Sequence, residues 1–207
     1  MTCAQPRITP MTTVPADDNA RLVLQTFFDE DYGLAHARKR LHACLRSAFA
    51  HQSRLNKMEM LNMLYFIELF GKLIAAAEQL TTEPGNREKG SVINCLNEHD
   101  LLNPALYCNN MPGPPGSRQG LGNAWQCFPR HLSRAEYLDP YWALEKCFQR
   151  KNSGEWKELL MGLFYAAAKD ENTIAEDCHD ADIYRSCKGL FKLLEACHLI
   201  KVRESGS

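Results

Sequence analysis

The chain has 207 residues, 45% of them hydrophobic and 24% charged, which is enough apolar content for a sizeable core and excludes a disordered chain. Its 24 basic and 25 acidic residues leave a net charge of −1, with no global pull toward nucleic acid or a membrane surface. The longest apolar runs, such as 63–70, are interrupted by Glu68 and fall short of the ~20 residues of a membrane span.

Residues 1–18 hold prolines and no periodicity, and are expected to form an extended arm. They lack the apolar stretch of a secretory signal. Nine cysteines, an odd number, are scattered without a tight framework, so mostly free thiols in a reducing cytoplasm are expected. The first unit, 19–81, reads as three helices. Asp17, Asp18 and Asn19 offer a cap for a short helix carrying Leu22, Leu24, Phe27 and Phe28. Asp31 is expected to cap a second, near 32–50, with Leu34, Ala37, Leu41, Leu45 and Ala48 on one face. Asn56 and Glu59 form a capping-box pattern for a third helix running to about residue 81, before Glu83, Pro84 and Gly85 break it.

Residues 82–138 read as an irregular linker. A short helix is expected over 91–102, whereas 111–122 holds three prolines and four glycines and cannot sustain one. Ser133 and Glu136 repeat the capping-box pattern. The second unit, 139–203, opens on Asp139 before Pro140, a cap followed by a proline at the first helical position. That helix is expected to reach about Gln149. Ser153 is expected to cap the next, with Trp156, Leu159, Leu160, Leu163, Phe164 and Ala167. A polar loop over 170–180 precedes a last helix carrying Leu190, Leu193, Leu194 and Cys197.

The two triplets align as copies. At an offset of 120, Leu24 faces Leu144, Phe28 faces Phe148, and 72–76 faces 192–196; the middle helices align at 119, with Leu41 on Leu160 and Leu45 on Phe164. A 60-residue unit is marginal alone, so the copies are expected to pack together with pseudo-twofold symmetry. The fold expected is all-α: a helical bundle of two related three-helix units joined by a Pro/Gly-rich linker. Phe27 with Phe28 at the entry to the first unit, and 193–200 closing the second, make the chain resemble bacterial all-helical proteins with two related helical segments. That resemblance covers roughly 60% of the chain; it implies a fold and no activity.

No phosphate-binding loop, nucleophile elbow or HExxH is present. Gly116, Gly120 and Gly122 read as linker rather than a phosphate cradle. Cys95 with His99 and Cys127 with His131 have the spacing of two chelating pairs that could together hold zinc, but the close cysteine pairs usual in such sites are missing and no metal is assigned. Arg46 and His51 match the Arg-x4-His pattern of the HEPN ribonucleases; the resemblance would make the arginine a phosphate stabiliser and the histidine an acid–base group. The second unit has Tyr165 and Asp170 in their place.

Charge is the more informative pattern. Between Tyr32 and Met58 no residue is acidic, and Arg38, Lys39, Arg40, Arg46, Arg54 and Lys57 give +6 beside His36, His42 and His51. Arg38, His42 and Arg46 recur every four residues as an expected solvent-facing stripe for an anion or a partner, whose charge reversal would leave stability unchanged. The matching segment of the second unit, 155–182, carries a net −6. The function expected is a non-enzymatic helical interaction or regulatory module in the cytoplasm, without cofactor or membrane. It would act on an unidentified protein partner or through weak self-association. The alternatives are nucleic-acid binding by the basic face or a HEPN-like ribonuclease.

Overall fold

The structure, a computed structural model, describes residues 16–50, 55–82, 128–168 and 180–205. Every regular element among them is helical, which establishes the all-α class. Helix α1 spans Ala16–Thr26. It starts ahead of the expected cap, so Asp17 and Asp18 fall within the helix and not before it. A π-turn, Phe27–Asp31, follows, closed by Tyr32 N–H donating to the Phe27 carbonyl at 2.6 Å. Its widened turn carries both Phe27 and Phe28 into the core.

Because the π-turn takes up Asp31, α2 (Leu34–Phe49) is capped by Gly33 and not by Asp31, whose carboxylate instead accepts from Tyr65 Oη at 3.2 Å. Helix α3 spans Lys57–Thr82. Its capping box is present, with reciprocal Asn56–Glu59 bonds of 2.9 Å each. The second box, Ser133 with Glu136, opens α4 (Arg134–Leu138). Helix α5 (Pro140–Phe148) begins as expected, the Asp139 carboxylate accepting from Trp142 N–H at 3.0 Å. The cap of α6 (Ser153–Ala168) lies one residue earlier than expected: Asn152 and Glu155 exchange bonds of 2.7 and 2.9 Å. Ser153 turns away from its own helix, and its hydroxyl and N–H both donate to Glu78 of α3. Helix α7 spans Asp180–Ser205.

Helix α1 packs on α3, and α5 on α7. The middle helices cross over: α2 sits against α6 and α7, and α6 against α2 and α3. Helices α2 and α6 have 16 residues each, and α3 and α7 have 26 each. Every residue of α7 from Leu190 to Lys201 but the part-buried Lys192 is buried, which marks it as the central element of the bundle. Gly189 lets Trp156 lie directly on α7, for a Cβ there would come within 2.4 Å of the Trp156 Cη2 atom. Arg21 on α1 pairs with Glu204 at 3.0 Å, and Tyr141 on α5 donates to the same carboxylate at 2.7 Å, so three helices are tied at one end.

Among the described residues, α3 is the one helix long and apolar enough to cross a membrane by length and composition, with a window of mean hydropathy 1.5 that is 50% buried. Phe66, Phe70, Leu73 and Ile74 supply that buried face, while Glu68 and Lys72 are exposed on the other. Most of the expected arm, the 91–102 helix, the Pro/Gly-rich stretch, all of the 170–180 loop but its last residue, and the residues Cys95, His99, Cys127 and His51 lie outside the described residues.

Candidate functional site

Helix α2 presents two sharply different faces. Leu34, Ala37, Leu41, Cys44 and Ala48 recur at intervals of three and four and are buried against α6 and α7. Lys39, His42, Arg46 and Phe49 follow the same rhythm on the outside and are all exposed, Phe49 to 47%. The cationic stripe expected from Arg38, His42 and Arg46 is therefore divided. His42 and Arg46 face solvent, but Arg38 is only 6% exposed. Its place outside is taken by Lys39.

The reason Arg38 turns inward is a carboxylate on α7. Glu195 has no exposed surface. Arg38 Nε lies 2.9 Å from Glu195 Oε1, and Arg38 Nη2 donates to the Phe128 carbonyl at 2.5 Å. The other Glu195 oxygen accepts from the backbone N–H groups of Arg130 and His131 at 2.9 and 2.7 Å, and Oε1 also meets His131 Nδ1 at 2.8 Å. Burial alone would raise the Glu195 pKa, but the His131 hydrogen bond, the Arg38 charge and the two backbone donors together hold it below the ordinary carboxylate value. One ionised side chain thus holds α2 and the 128–132 segment onto α7. Charge reversal at Arg38 would put two carboxylates in contact, so the expectation of unchanged stability does not hold for that position.

The polar seam continues down α7. His198 lies one turn beyond Glu195, packed edge-on against Phe28 with ring centroids 5.0 Å apart, and its buried Nδ1 has no hydrogen-bond partner among the described residues. Burial, reinforced by the positive charges of Lys201 and Arg38, lowers its pKa to about 3. Lys201 closes the seam by pairing with Asp29 of the π-turn. On the other side of Glu195, the buried Phe191 ring forms a floor between two imidazoles. His131 stacks on it at 4.4 Å with an interplanar angle of 13°, and His42 lies on it at 4.5 Å. The two imidazole centroids are 6.4 Å apart. Burial, then the neighbouring His131, Arg46 and Arg38, lowers the His42 pKa.

His131, Phe191 and Glu195 were not among the expected site residues. The sequence offers His131 as a candidate zinc ligand with Cys95, His99 and Cys127, the last three outside the described residues; in the structure its Nδ1 is turned to Glu195. A signal for Glu195 was present in the sequence: it is the lone acidic residue from Leu190 to Ile200, a run whose other polar members are Lys192 and His198. Comparison with known protein families, with curated proteins and with solved structures finds no match to this chain.

Proposed function

We propose that the protein is a non-enzymatic helical interaction module that binds an anionic partner through the outer face of α2. The exposed row of Lys39, His42 and Arg46, ending on Phe49 in a stretch with no acidic residue between Tyr32 and Met58, carries this reading. A cationic row flanked by an exposed aromatic offers both attraction and a small apolar foothold. Binding of this kind is weakened by salt, since exposed charges are screened beyond about 8–10 Å at physiological ionic strength. A reducing cytoplasm is the proposed setting, supported by the free thiols of Cys44, Cys147, Cys187 and Cys197.

We propose as well that the two triplets descend from one ancestral unit. Supporting it, α2 and α6 exchange partners in the same sense, and Lys157, which aligns with Arg38, covers Gly71, a Cβ on which would stand 3.6 Å from Lys157 Cγ. Ala75 then aligns with Glu195, so the carboxylate centre exists in one copy alone.

Heparin retention at low salt tests the binding reading. A chain of net charge −1 gains retention only from a local basic face. Wild type is expected to be retained and Lys39→Glu with Arg46→Glu to flow through, with the same unfolding midpoint. A wild type that flows through at low salt overturns the reading.

A further inference from the structure

We propose that His131 and His42, with Arg46, form a binding site for a phosphate group at the edge of the Phe191 ring. The inference rests on the anionic-partner reading of α2 and names the chemical group recognised there. Three observations place it.

The first is that His131 is held in one orientation. Its Nδ1 lies 2.8 Å from Glu195 Oε1, its own N–H bonds Glu195 Oε2, and its ring is stacked on Phe191. A carboxylate at Nδ1 sets the proton there and leaves Nε2 as the ring's acceptor, on a side chain that keeps 26% of its surface exposed. Glu195 is a positioning residue in this arrangement, since it is fully buried and touches no ligand.

The second is that His42 shares the same floor, with its centroid 6.4 Å from that of His131. Arg46 lies one helical turn further along the same exposed face. Two imidazoles and a guanidinium around one apolar ring supply several N–H donors to one small tetrahedral anion. The third is that the buried Glu195 carboxylate beside His131 is paired with Arg38 at 2.9 Å, so its charge is offset and repels an incoming anion less.

An imidazole donates from both nitrogens only when protonated, and burial with the neighbouring cations lowers the His42 pKa, so His42 strengthens phosphate binding on the acid side of its ordinary value. The charged or titratable groups facing the two rings are Arg38 and Arg46 from α2, and Glu195 from α7. The phosphate could belong to a free phosphate or monoester, or to a nucleic-acid backbone; the chemistry at the rings is shared.

The test is imidazole NMR of the full chain titrated with inorganic phosphate at mildly acidic and neutral pH, followed by a single-stranded oligothymidylate. Saturable shifts of both His42 and His131 are expected, those of His42 larger at the lower pH. They should weaken at His131 in Glu195→Gln, and at both rings in Arg46→Gln, a surface variant that folds independently of the buried pair. Displacement of phosphate by the oligonucleotide assigns the group to a polymer backbone, and its failure to compete assigns it to a free or monoester phosphate; either supports the site. Rings that do not respond to phosphate at either pH overturn it. If that happens while wild type still binds heparin and the Lys39→Glu, Arg46→Glu variant does not, the phosphate site falls and the anionic-partner reading stands.

Discussion

Arg38 and Glu195 are 157 positions apart in the chain, yet their side chains meet at 2.9 Å with almost no exposed surface on either. Removing one member of such a pair leaves an uncompensated charge in the core and typically costs about 3–5 kcal/mol. Arg38→Ala is therefore expected to lower unfolding free energy by that amount in urea titrations, whereas Arg46→Ala, one face away, should stay within about 0.5 kcal/mol of wild type. Equal effects at the two positions would contradict the burial of Arg38.

His198 gives the fold an acid-side liability. Its pKa is lowered from 6.5 to about 3 in the folded state, so the unfolded chain takes up a proton at a pH where the folded chain does not. The stability this group contributes is complete above 6.5 and is lost as pH falls toward 3. His198→Phe keeps a ring against Phe28 without the titration. Its unfolding free energy should therefore fall less steeply than that of wild type between these pH values, with the two curves running parallel above neutrality.

Gly189→Ala should destabilise the protein even though alanine favours a helix by up to about 1 kcal/mol over glycine. The new methyl group would stand 2.4 Å from Trp156 Cη2, and Trp156 is itself fully enclosed. Overpacking of this kind costs about 1–3 kcal/mol. The loss should shrink in a Trp156→Leu background, and thermal melts of the four combinations read the coupling directly.

Asn152→Ala removes the cap that α6 uses, and about 0.5–2 kcal/mol is expected to go with it. Ser153→Ala leaves that cap intact and breaks only the hydroxyl bond to Glu78. A larger loss for Ser153→Ala than for Asn152→Ala in the same denaturation assay would show that the α3–α6 link, not the cap, governs this end of α6.

Thiol labelling gives an independent check on burial. Burial pushes the Cys44 thiol up to about 12 and the Cys147 thiol up to about 11. Cys187, half-exposed, should alkylate before Cys44, Cys147 and Cys197 in the native protein, and peptide mass spectrometry would give the order.

The helical class, the end of α3 and the caps at Asn56, Ser133 and Asp139 were legible in the sequence because each depends on residues within a turn of one another. Asp31 failed as a cap since a π-turn, which no simple periodicity announces, absorbed it. Arg38 departs from the expected solvent-facing stripe for a related reason. A four-residue repeat identifies one side of a helix but not what lies over that side, and here the 128–132 segment and α7 cover its first member. Glu195, His131 and His42 come from three separate stretches of chain, so no local spacing could have gathered them.

The crossing of α2 onto α6 and α7 also bears on how the chain comes to be folded. During synthesis α2 emerges long before the surfaces that receive it, and the Asp29–Lys201 and Arg21–Glu204 pairs cannot close until α7 has left the ribosome. Helical proteins ordinarily fold fast because their contacts are local. In this one the decisive contacts are distant, so the first three helices must remain incompletely packed, with Leu41, Cys44 and Phe28 open to solvent or to chaperones, until α6 and α7 have been made.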